Sequence, residues 1–310
     1  MSRITARPML PTFIDPMLAS RGTAFDDDAY LFEIKWDGIR MPAFVETQGY
    51  RLMNRHAVDT TSRYPEFAFL AGLPSGTVLD GEMIVLRDGQ PDLALLQGRD
   101  KTRSALKTRT ASQAQPATFV AFDLLHEKYV PLLDRPLQER RDRLERLLRS
   151  WSHPRLVLSQ GMVGQGRLLF AETCRQNLEG IMAKRLASRY RPGKRGADWL
   201  KIKRRLEMLC VVIGFTPHGT RDFANLILAV EDHGKLRAVG KVKYGLSAEV
   251  RGRLNAWLWT HGQERPAVPC RWAARWVRPE LFCRISCLDL TRRGECCFPV
   301  CEQILWAPPA

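Results

Sequence analysis

The chain has 310 residues, of which 45% are hydrophobic and 26% are charged; this is a globular composition and excludes a mainly disordered chain. Because a typical domain has roughly 100–200 residues, the length predicts two domains. Lysine and arginine (48) outnumber aspartate and glutamate (33), and the net charge of +15 favours an anionic partner such as nucleic acid.

The apolar residues are scattered rather than gathered in one long run. No run reaches the roughly 18 residues that a membrane-spanning helix needs, so no membrane partner is expected. The N-terminal stretch MSRITARPMLPTFIDPML contains three prolines and an aspartate, which argues against a secretory signal. A cytoplasmic protein is therefore expected, and its eight cysteines are predicted to be free thiols or metal ligands rather than disulfides.

The first two thirds of the chain predict an α+β domain over residues 1–205, which begins with an irregular arm at 1–29. Apolar runs bounded by turn residues predict strands at 30–34, 41–45, 50–53, 78–86, 119–125, 180–184 and 199–203. Helical periodicity predicts helices at 65–73, 136–150 and 167–176. In helix 136–150 the leucines share one face, and the arginines are predicted to face solvent.

The remaining residues, 206–310, predict a small β-barrel. Strands are predicted at 208–215, 226–230, 236–242 and 282–290, with one helix at 247–257. Several short strands with one helix are typical of the oligonucleotide-binding (OB) fold. The predicted fold class is therefore α+β, with an OB-fold as the second domain.

The most informative segment is residues 33–40, which read EIKWDGIR and place a lysine at the end of a predicted strand. The Asp37–Gly38 pair turns the chain directly after Lys35, so the lysine amine is expected to point into a cleft. Taken alone, these residues also fit a surface lysine before a hairpin turn. Further motifs are needed to decide between the two interpretations.

Four other segments bring charged or aromatic residues to predicted strands. They are residues 80–82 (DGE), 120–125 (VAFDLL), 179–185 (EGIMAKR) and 199–203 (WLKIK). Because side chains alternate along a strand, Lys201 and Lys203 are expected to share one face. For the same reason Glu33 is expected to point the same way as Lys35.

These five segments, in this order, resemble the motifs of the covalent nucleotidyltransferases, specifically the ATP-dependent DNA ligases. The resemblance covers residues 11–299 and is greatest to the ligase domain of bacterial end-joining enzymes and their stand-alone relatives. It implies a nucleotidyltransferase (adenylation) domain followed by an OB-fold, with ATP and Mg²⁺ or Mn²⁺ as cofactors. The polymerase and end-processing domains of some end-joining enzymes are not expected in this chain.

The resemblance implies a reaction in three steps. Lys35 attacks the α-phosphate of ATP, AMP passes to the 5′-phosphate of a DNA nick, and the 3′-hydroxyl then displaces AMP. A free lysine amine has a pKa of about 10.4, so at neutral pH it needs nearby positive charge or desolvation before it can attack. Lys201, Lys203 and a divalent metal are expected to supply the charge.

The resemblance also implies a role in nucleotide binding for a set of residues. Phe122 matches the ring that stacks on adenine and Met182 the apolar residue on its other face, although both side chains also suit a hydrophobic core. Glu82 and Glu179 match the carboxylates at the metal. For each of the remaining ATP-binding positions, the alternative interpretation is a solvated surface charge. These positions are Glu33 at the adenine amino group, Glu82 at the ribose, Arg40 and Arg55 at ribose and phosphate, and Arg195, Lys201 and Lys203 at the phosphates.

The C-terminal segment departs from the family pattern. After Pro299 the family has an arginine and an Asp-Lys pair that clamp the leaving pyrophosphate, whereas residues 300–310 contain neither arginine nor lysine. Arg292 and Arg293 are basic, but their spacing does not match that of the clamp. An alternative hypothesis is therefore a nick-binding protein that is defective in self-adenylation.

Six of the eight cysteines lie from Cys270 onward. The spacings Cys283–Cys287 and Cys297–Cys301 suit structural zinc, but buried, apolar thiols are the favoured interpretation. The basic stretch at residues 99–109 fits a surface that contacts DNA phosphates, although a run of charges is usually only solvated. The basic stretch at residues 189–195 fits equally a solvated loop and a loop that contacts the DNA backbone.

The predicted function is ATP-dependent ligation of nicked double-stranded DNA in break repair. A monomer is expected, with a DNA-end-binding protein as a candidate partner. The alternative within the same superfamily is an RNA ligase or a capping-type nucleotidyltransferase. The motifs around Lys35 and Glu179 favour DNA over RNA.

Overall fold

The structure is a computed structural model that describes residues 9–232, 234–291 and 293–306. The chain folds into two compact units, Met1–Lys203 and Arg204–Ala310. Within the described ranges, no helix combines the length and the apolar character that crossing a membrane requires.

The first unit contains the strands and helices that were predicted for it, together with short elements that were not. Its strands are β1 (Leu18–Arg21), β2 (Tyr30–Ile34), β3 (Ile39–Arg40), β4 (Ala43–Glu46), β5 (Gly49–Leu52), β6 (Thr77–Arg87), β7 (Gln90–Pro91), β8 (Ala117–Glu127), β9 (Val130–Pro131), β10 (Leu156–Leu158), β11 (Gly161–Val163), β12 (Gly180–Arg185) and β13 (Arg195–Lys203). Its helices are α1 (Leu93–Lys101), α2 (Ala105–Ala114), α3 (Leu137–Ser150) and α4 (Gly166–Arg175), with 3-10 helices at Thr61–Arg63 and Pro65–Gly72.

Two β-sheets form the framework of this unit. The first has the strand order β1-β13-β12-β2-β11, and the second has the order β10-β8-β6-β4-β5 with β3 beside β6. In the first sheet, Met182 of β12 lies opposite both Glu33 of β2 and Lys201 of β13. Because opposed residues of an antiparallel pair point to the same face, these three side chains share one face of the sheet.

The largest hydrophobic core of the unit packs against the second sheet. Met83 of β6 and Phe119 of β8 are completely buried in it, and Leu144 of α3 packs into the same cluster. This core fixes the two strands that also carry Glu82 and Phe122. The candidate site residues on the second sheet therefore lie on rigid elements rather than on loops.

Helix α3 buries two of its arginines, so the prediction that its arginines face solvent is wrong for Arg140 and Arg141. Arg140 is completely buried and donates to both carboxylate oxygens of Asp123, at 2.7 and 2.8 Å. Arg141 is 6% exposed and lies 3.1 Å from Glu33. The hydrophobic pattern cannot reveal such a burial, because the compensating carboxylates come from β8 and β2, which are distant in sequence.

The basic stretch 99–109 is also only partly at the surface. Arg99 is buried, lies 2.7 Å from Glu66 and donates to the carbonyl of Gln115. The prediction of a phosphate-contacting surface is therefore wrong for Arg99, which supports the packing of α1. The other basic residues of the stretch are exposed; they are Lys101, Arg103, Lys107 and Arg109.

The second unit is a curved antiparallel sheet with one helix. Its elements are β14 (Leu206–His218), β15 (Asp222–Asp232), β16 (Lys235–Val242), α5 (Ala248–Thr260), β17 (Gly262–Gln263), β18 (Arg275–Cys287), β19 (Asp289–Leu290), β20 (Cys296–Cys297) and β21 (Val300–Leu305). The strand order is β16-β15-β14-β18-β17, and β21 also pairs with β18. The core contains Leu254 and Leu258 of α5.

This sheet curls back on itself. Register shifts interrupt the β14–β15, β15–β16 and β14–β18 ladders, and such bulges increase the bend of a sheet. Tyr244, just beyond β16, forms an isolated bridge with Val300 of β21. The predicted α+β fold with a small OB-type β unit is confirmed, but the described strands form an open, curled sheet rather than a closed barrel.

The cysteines of the second unit lie largely in its interior. Cys210, Cys283, Cys287 and Cys301 are buried, and none of these four forms a disulfide. Burial, together with the nearby Cys287 and Cys301, raises the pKa of the Cys210 thiol to about 12. Across the described part of the chain, no three His, Cys, Asp or Glu side chains are grouped so as to hold a metal ion. These observations support buried, apolar thiols rather than a zinc site.

Candidate active site

Lys35 follows the last residue of β2 and lies among charged side chains. Its backbone N–H donates to the carbonyl of Gly180 (2.9 Å), which joins the end of β2 to the start of β12. Its ammonium nitrogen Nζ lies 2.5 Å from Oε2 of Glu179. Nζ of Lys203 pairs with the other oxygen of the same carboxylate. Glu179 therefore bridges two lysines that are distant in sequence.

Gly180 allows this close arrangement. Its φ of +138° is a backbone conformation that favours glycine. A Cβ atom at this position would overlap the carbonyl oxygen of Ile202 and lie 2.8 Å from Cα of Lys203. The absence of a side chain therefore lets β12 approach β13 directly beside Glu179.

Replacement of Gly180 by alanine is expected to lower the free energy of unfolding by about 2–4 kcal/mol, because backbone strain and the overlap with β13 add together. Urea denaturation measures this change. Gly196→Ala is the matched control on β13, since a Cβ atom there would have no described neighbour within 4 Å. Equal effects of the two substitutions would show that Gly180 is not required for this approach.

Glu82 of β6 is a partly buried carboxylate close to Lys35. Burial raises the pKa of Glu82 from its usual 4.5 to about 8, and the carboxylates of Asp80 and Glu179 act in the same direction. Lys35 and Arg40 offset this effect only in part. The raised pKa favours the protonated form of Glu82 at neutral pH, and additional positive charge would favour its ionised form.

The raised pKa of Glu82 predicts a fall in stability with rising pH. Between about pH 4.5 and 8 the folded state holds the Glu82 proton while the unfolded state has released it, so the free energy of unfolding decreases across this range. In the presence of a chelator, Glu82→Gln is expected to change the free energy of unfolding, relative to the wild type, more favourably at pH 8 than at pH 5. The difference between the two effects is expected to be roughly 1–4 kcal/mol. Urea denaturation at the two pH values measures this; an equal effect at both would contradict the assignment.

Arg40 of β3 is held in place by a network of polar groups. It donates to both oxygens of Asp80, at 3.0 and 2.5 Å, and to the hydroxyl of Tyr190 at 3.2 Å. Its guanidinium carbon lies 5.3 Å from the ring centroid of Phe122 and 5.5 Å from that of Trp199. Arg40 therefore joins the two sheets and presents a fixed positive charge beside the aromatic ring of Phe122.

Glu33 is connected to the ring of Phe122 through a buried lysine, Lys184. Its side chain is 1% exposed, and it pairs with Arg141 of α3 and with Nζ of Lys184. Lys184 is also buried, and its Nζ lies 4.1 Å from the centroid of Phe122. Burial lowers the pKa of Lys184, and the charge of Glu33 opposes that change.

A group of cations lies on the side of the site where Lys35 is found. Burial lowers the pKa of Lys201, and the positive charges of Arg195, Lys203 and Lys35 lower it further, with a contribution from Arg21. Like charges that are held close together are stabilised when an anion binds between them. The arrangement is therefore suited to a polyphosphate.

The structure brings together most of the residues that the sequence singled out, but not all of them. Arg55 is exposed in the turn after β5, and its one described partner is its neighbour His56 (3.1 Å). Arg195 is exposed at the start of β13 and donates to the carbonyl of Ala19. Arg292 lies outside the described residues, and Arg293 is exposed.

Three residues that contact the site had no role in the sequence analysis. Arg141 looked like a solvated helix arginine, and Tyr190 lay inside a basic loop. Lys184 lies inside the motif at residues 179–185, and its place in that motif was the only indication of a role for it in the sequence. Each of the three lies against Glu33 or Asp80 only because of the tertiary fold.

Lys35 lies among carboxylates and cations in the first unit, and a curled β unit follows it in the chain. This organisation resembles that of the covalent nucleotidyltransferases. Comparison with known families makes the assignment specific. Residues 8–203 match the ATP dependent DNA ligase domain, and residues 219–305 match the ATP dependent DNA ligase C terminal region. The chain belongs to the ATP-dependent DNA ligase family.

Curated relatives agree with this assignment. The chain is 33% identical over 299 residues to the multifunctional non-homologous end joining protein LigD of Pseudomonas aeruginosa. The matched region covers 92% of this chain and 34% of that protein. It is 30% identical over 266 residues to a DNA ligase of Methanoculleus marisnigri, which covers 83% of this chain and 48% of that protein. The chain thus spans about a third to a half of the length of these relatives.

Solved structures show the same fold. The ligase domain of LigD from M. tuberculosis is similar with a TM-score of 0.57 and 28% identity, covering 94% of this chain and 95% of that one. A mycobacterial DNA ligase D complexed with ATP and MES has a TM-score of 0.56 at the same identity and with the same coverage. The family matches favour a DNA-directed enzyme over the RNA-directed alternative.

Proposed function

We propose that the protein is an ATP-dependent DNA ligase that seals 5′-phosphate/3′-hydroxyl nicks in DNA break repair through a covalent lysine–AMP intermediate. The observation that carries the proposal is the position of Lys35, whose Nζ is 2.5 Å from Glu179 and adjacent to Lys201 and Lys203. A nucleophile beside a carboxylate base and a phosphate-binding group of cations is what nucleotidyl transfer requires. In this proposal residues 1–205 form the adenylation domain and residues 206–310 the OB domain.

In the first step Nζ of Lys35 attacks the α-phosphorus of ATP. A nitrogen–phosphorus bond forms, the bond from the α-phosphorus to the bridging oxygen breaks, and pyrophosphate leaves. Before the attack the ammonium group must lose a proton, and Oε2 of Glu179 is the carboxylate oxygen within hydrogen-bond reach. Lys201 and Lys203 stabilise the negative charge on the phosphates.

In this proposal the adenine base and the ribose bind to the residues around Phe122. Adenine stacks between Phe122 and Met182, and its amino group donates to Glu33. Met182 lies directly opposite Glu33 in the first sheet, which supports a common pocket. The other nucleotide contacts proposed here come from Glu82 at the ribose and from Arg40, Arg55 and Arg195 at the ribose and phosphates.

Mg²⁺ or Mn²⁺ fits Glu82 and Glu179. The pKa of about 8 at Glu82 identifies a partly buried carboxylate whose desolvation the nearby Lys35 and Arg40 do not fully offset. Oxygen ligands suit these metals, which usually take one or two protein carboxylates and complete their coordination with substrate phosphates. Such a cation would neutralise phosphate charge during the reaction.

The second and third steps take place on DNA. AMP passes from Lys35 to the 5′-phosphate of the nick, and the 3′-hydroxyl then attacks that phosphate and releases AMP. The net charge of +15 supports binding to the phosphate backbone, which needs no base sequence. We further propose that the protein acts as a monomer in the cytoplasm and cooperates with a DNA-end-binding protein.

A nick-sealing assay tests the proposal. Duplexes with a single nick are incubated with ATP and Mg²⁺, and the sealed strand is resolved by denaturing electrophoresis. Sealing of a 5′-phosphate nick, but not of a 5′-hydroxyl nick, is expected, with DNA preferred to RNA. Sealing of a pre-adenylated nick alone would show that self-adenylation is defective. Binding without any sealing would overturn the proposal.

A further inference from the structure

The carboxylate of Glu33 is enclosed by positive charge from two different elements. Oε1 lies 3.1 Å from Nη1 of Arg141, which belongs to α3, and Oε2 pairs with Nζ of Lys184, which belongs to β12. All three side chains are at most 7% exposed. Burying this many charges is costly unless each one is compensated, so the group is a built site rather than a surface ion pair.

Arg141 is the more rigid of the two cations. Its Nη2 donates to the carbonyl of Ser159 at 2.7 Å, and its Nη1 donates to the carbonyl of Phe122 at 3.3 Å. An arginine side chain stays charged in proteins, whereas burial lowers the pKa of Lys184. Arg141 therefore provides the charge at Glu33 that persists whether or not Lys184 is protonated.

Glu33 retains the capacity to accept a hydrogen bond. Each of its two oxygens pairs with one cation, Oε1 with Arg141 and Oε2 with Lys184. A carboxylate has about four acceptor positions. Two ion pairs leave further acceptor positions on Glu33, and its partner Lys184 has Nζ 4.1 Å from the ring centroid of Phe122, so this carboxylate is close to the proposed stacking residue.

The chemistry of the purine ring then determines which base is preferred. At its 6-position adenine carries an amino group, which donates a hydrogen bond, whereas guanine carries a carbonyl, which accepts one. A carboxylate attracts the first and repels the second. Conversely, a guanidinium group left free to turn toward the base would favour the carbonyl of guanine.

We propose that Arg141 is a positioning residue for base selection: by holding the Glu33 carboxylate while its own donors are occupied by Glu33, Ser159 and Phe122, it makes the site prefer a 6-amino purine to a 6-oxo purine. The inference rests on the proposed function, because it concerns the same nucleotide site. It assigns Arg141 no contact with the nucleotide.

The test compares the binding of ATP and GTP by calorimetry in the presence of a chelator, so that no nucleotide is transferred to the protein. Arg141→Gln is expected to lower the ATP-over-GTP affinity ratio by about tenfold or more, the value of a hydrogen bond to a charged group. Arg140→Gln is the matched control, since this adjacent buried arginine pairs with Asp123 instead of Glu33. It is expected to leave the ratio unchanged.

A second variant of Arg141 controls for the possibility that Arg141→Gln does not fold. Arg141→Lys keeps the charge with fewer donors, and it is expected to give a ratio between those of the wild type and Arg141→Gln. An unchanged ratio in both Arg141 variants, or an equal fall in Arg140→Gln, would overturn the inference while leaving the proposed function intact. Failure of the wild-type protein to bind ATP would overturn both.

Discussion

Replacement of Lys35 by alanine is expected to abolish the transfer of AMP to the protein, with a loss of about 10⁴-fold or more in the rate of nick sealing. The reason is that the substitution removes the attacking nitrogen itself, and effects of this size follow the loss of a nucleophile. Intact-mass measurement after incubation with ATP and Mg²⁺ gives the result directly. The wild type should gain the mass of one AMP, and Lys35→Ala should gain none.

Two controls make this result specific. Lys101→Ala removes an exposed lysine of α1 in the same unit and should leave the mass gain intact. A pre-adenylated nick should still be sealed by Lys35→Ala, because that substrate already carries the AMP that Lys35 would deliver. A mass gain in Lys35→Ala would show that another residue is the nucleophile, and no gain in the wild type would show that self-adenylation is lost.

The position of Lys35 was predictable because local rules fix it. A strand of apolar residues, a lysine at its end and an Asp-Gly turn act over only a few residues, and the period of two places Glu33 beside Lys35. The same period placed Lys201 and Lys203 on one face of β13. The structure then showed Lys203 paired with Glu179, the residue that also pairs with Lys35.

The surroundings of these residues were not predictable, because they depend on contacts between distant segments. Arg141 and Tyr190 reach Glu33 and Asp80 from positions more than a hundred residues away. Hydrophobic periodicity treats an arginine as a surface residue and has no means of detecting a buried partner. The matching of Arg55 to a family position likewise did not indicate that its turn is exposed.

The curled sheet of the second unit illustrates a different limit. Its main strands were predicted from apolar runs, but closure depends on register shifts that a strand pattern does not contain. The bulges in β14 and β15 set the bend, and Tyr244 meets Val300 only as a consequence of it. The sequence therefore indicated the strands, whereas the degree of closure required the structure.

The completely buried pair formed by Arg140 and Asp123 gives the largest expected effect on stability. Arg140→Ala is expected to reduce the free energy of unfolding by about 3–5 kcal/mol, because it leaves the carboxylate of Asp123 buried without its partner. It also removes donors to the carbonyls of Arg135 and Ser188. Urea denaturation measures the change.

Replacing both Arg140 and Asp123 is expected to lower the free energy of unfolding less than removing Arg140 alone. Exchanging both partners for apolar residues of similar size, Arg140→Met with Asp123→Leu, should destabilise the protein less than Arg140→Ala, because no unpaired charge remains and only the carbonyls of Arg135 and Ser188 lose a donor. Arg143→Ala on the same helix is the surface control: its side chain is 31% exposed, and its pairs with Glu127 and Glu139 should contribute about 0–1 kcal/mol. If Arg140→Ala costs no more than Arg143→Ala, the charge of Asp123 is relieved by water or a proton, and α3 does not depend on this pair. If the double variant is as unstable as Arg140→Ala, the pair stabilises the fold through its geometry and not only by avoiding an unpaired charge.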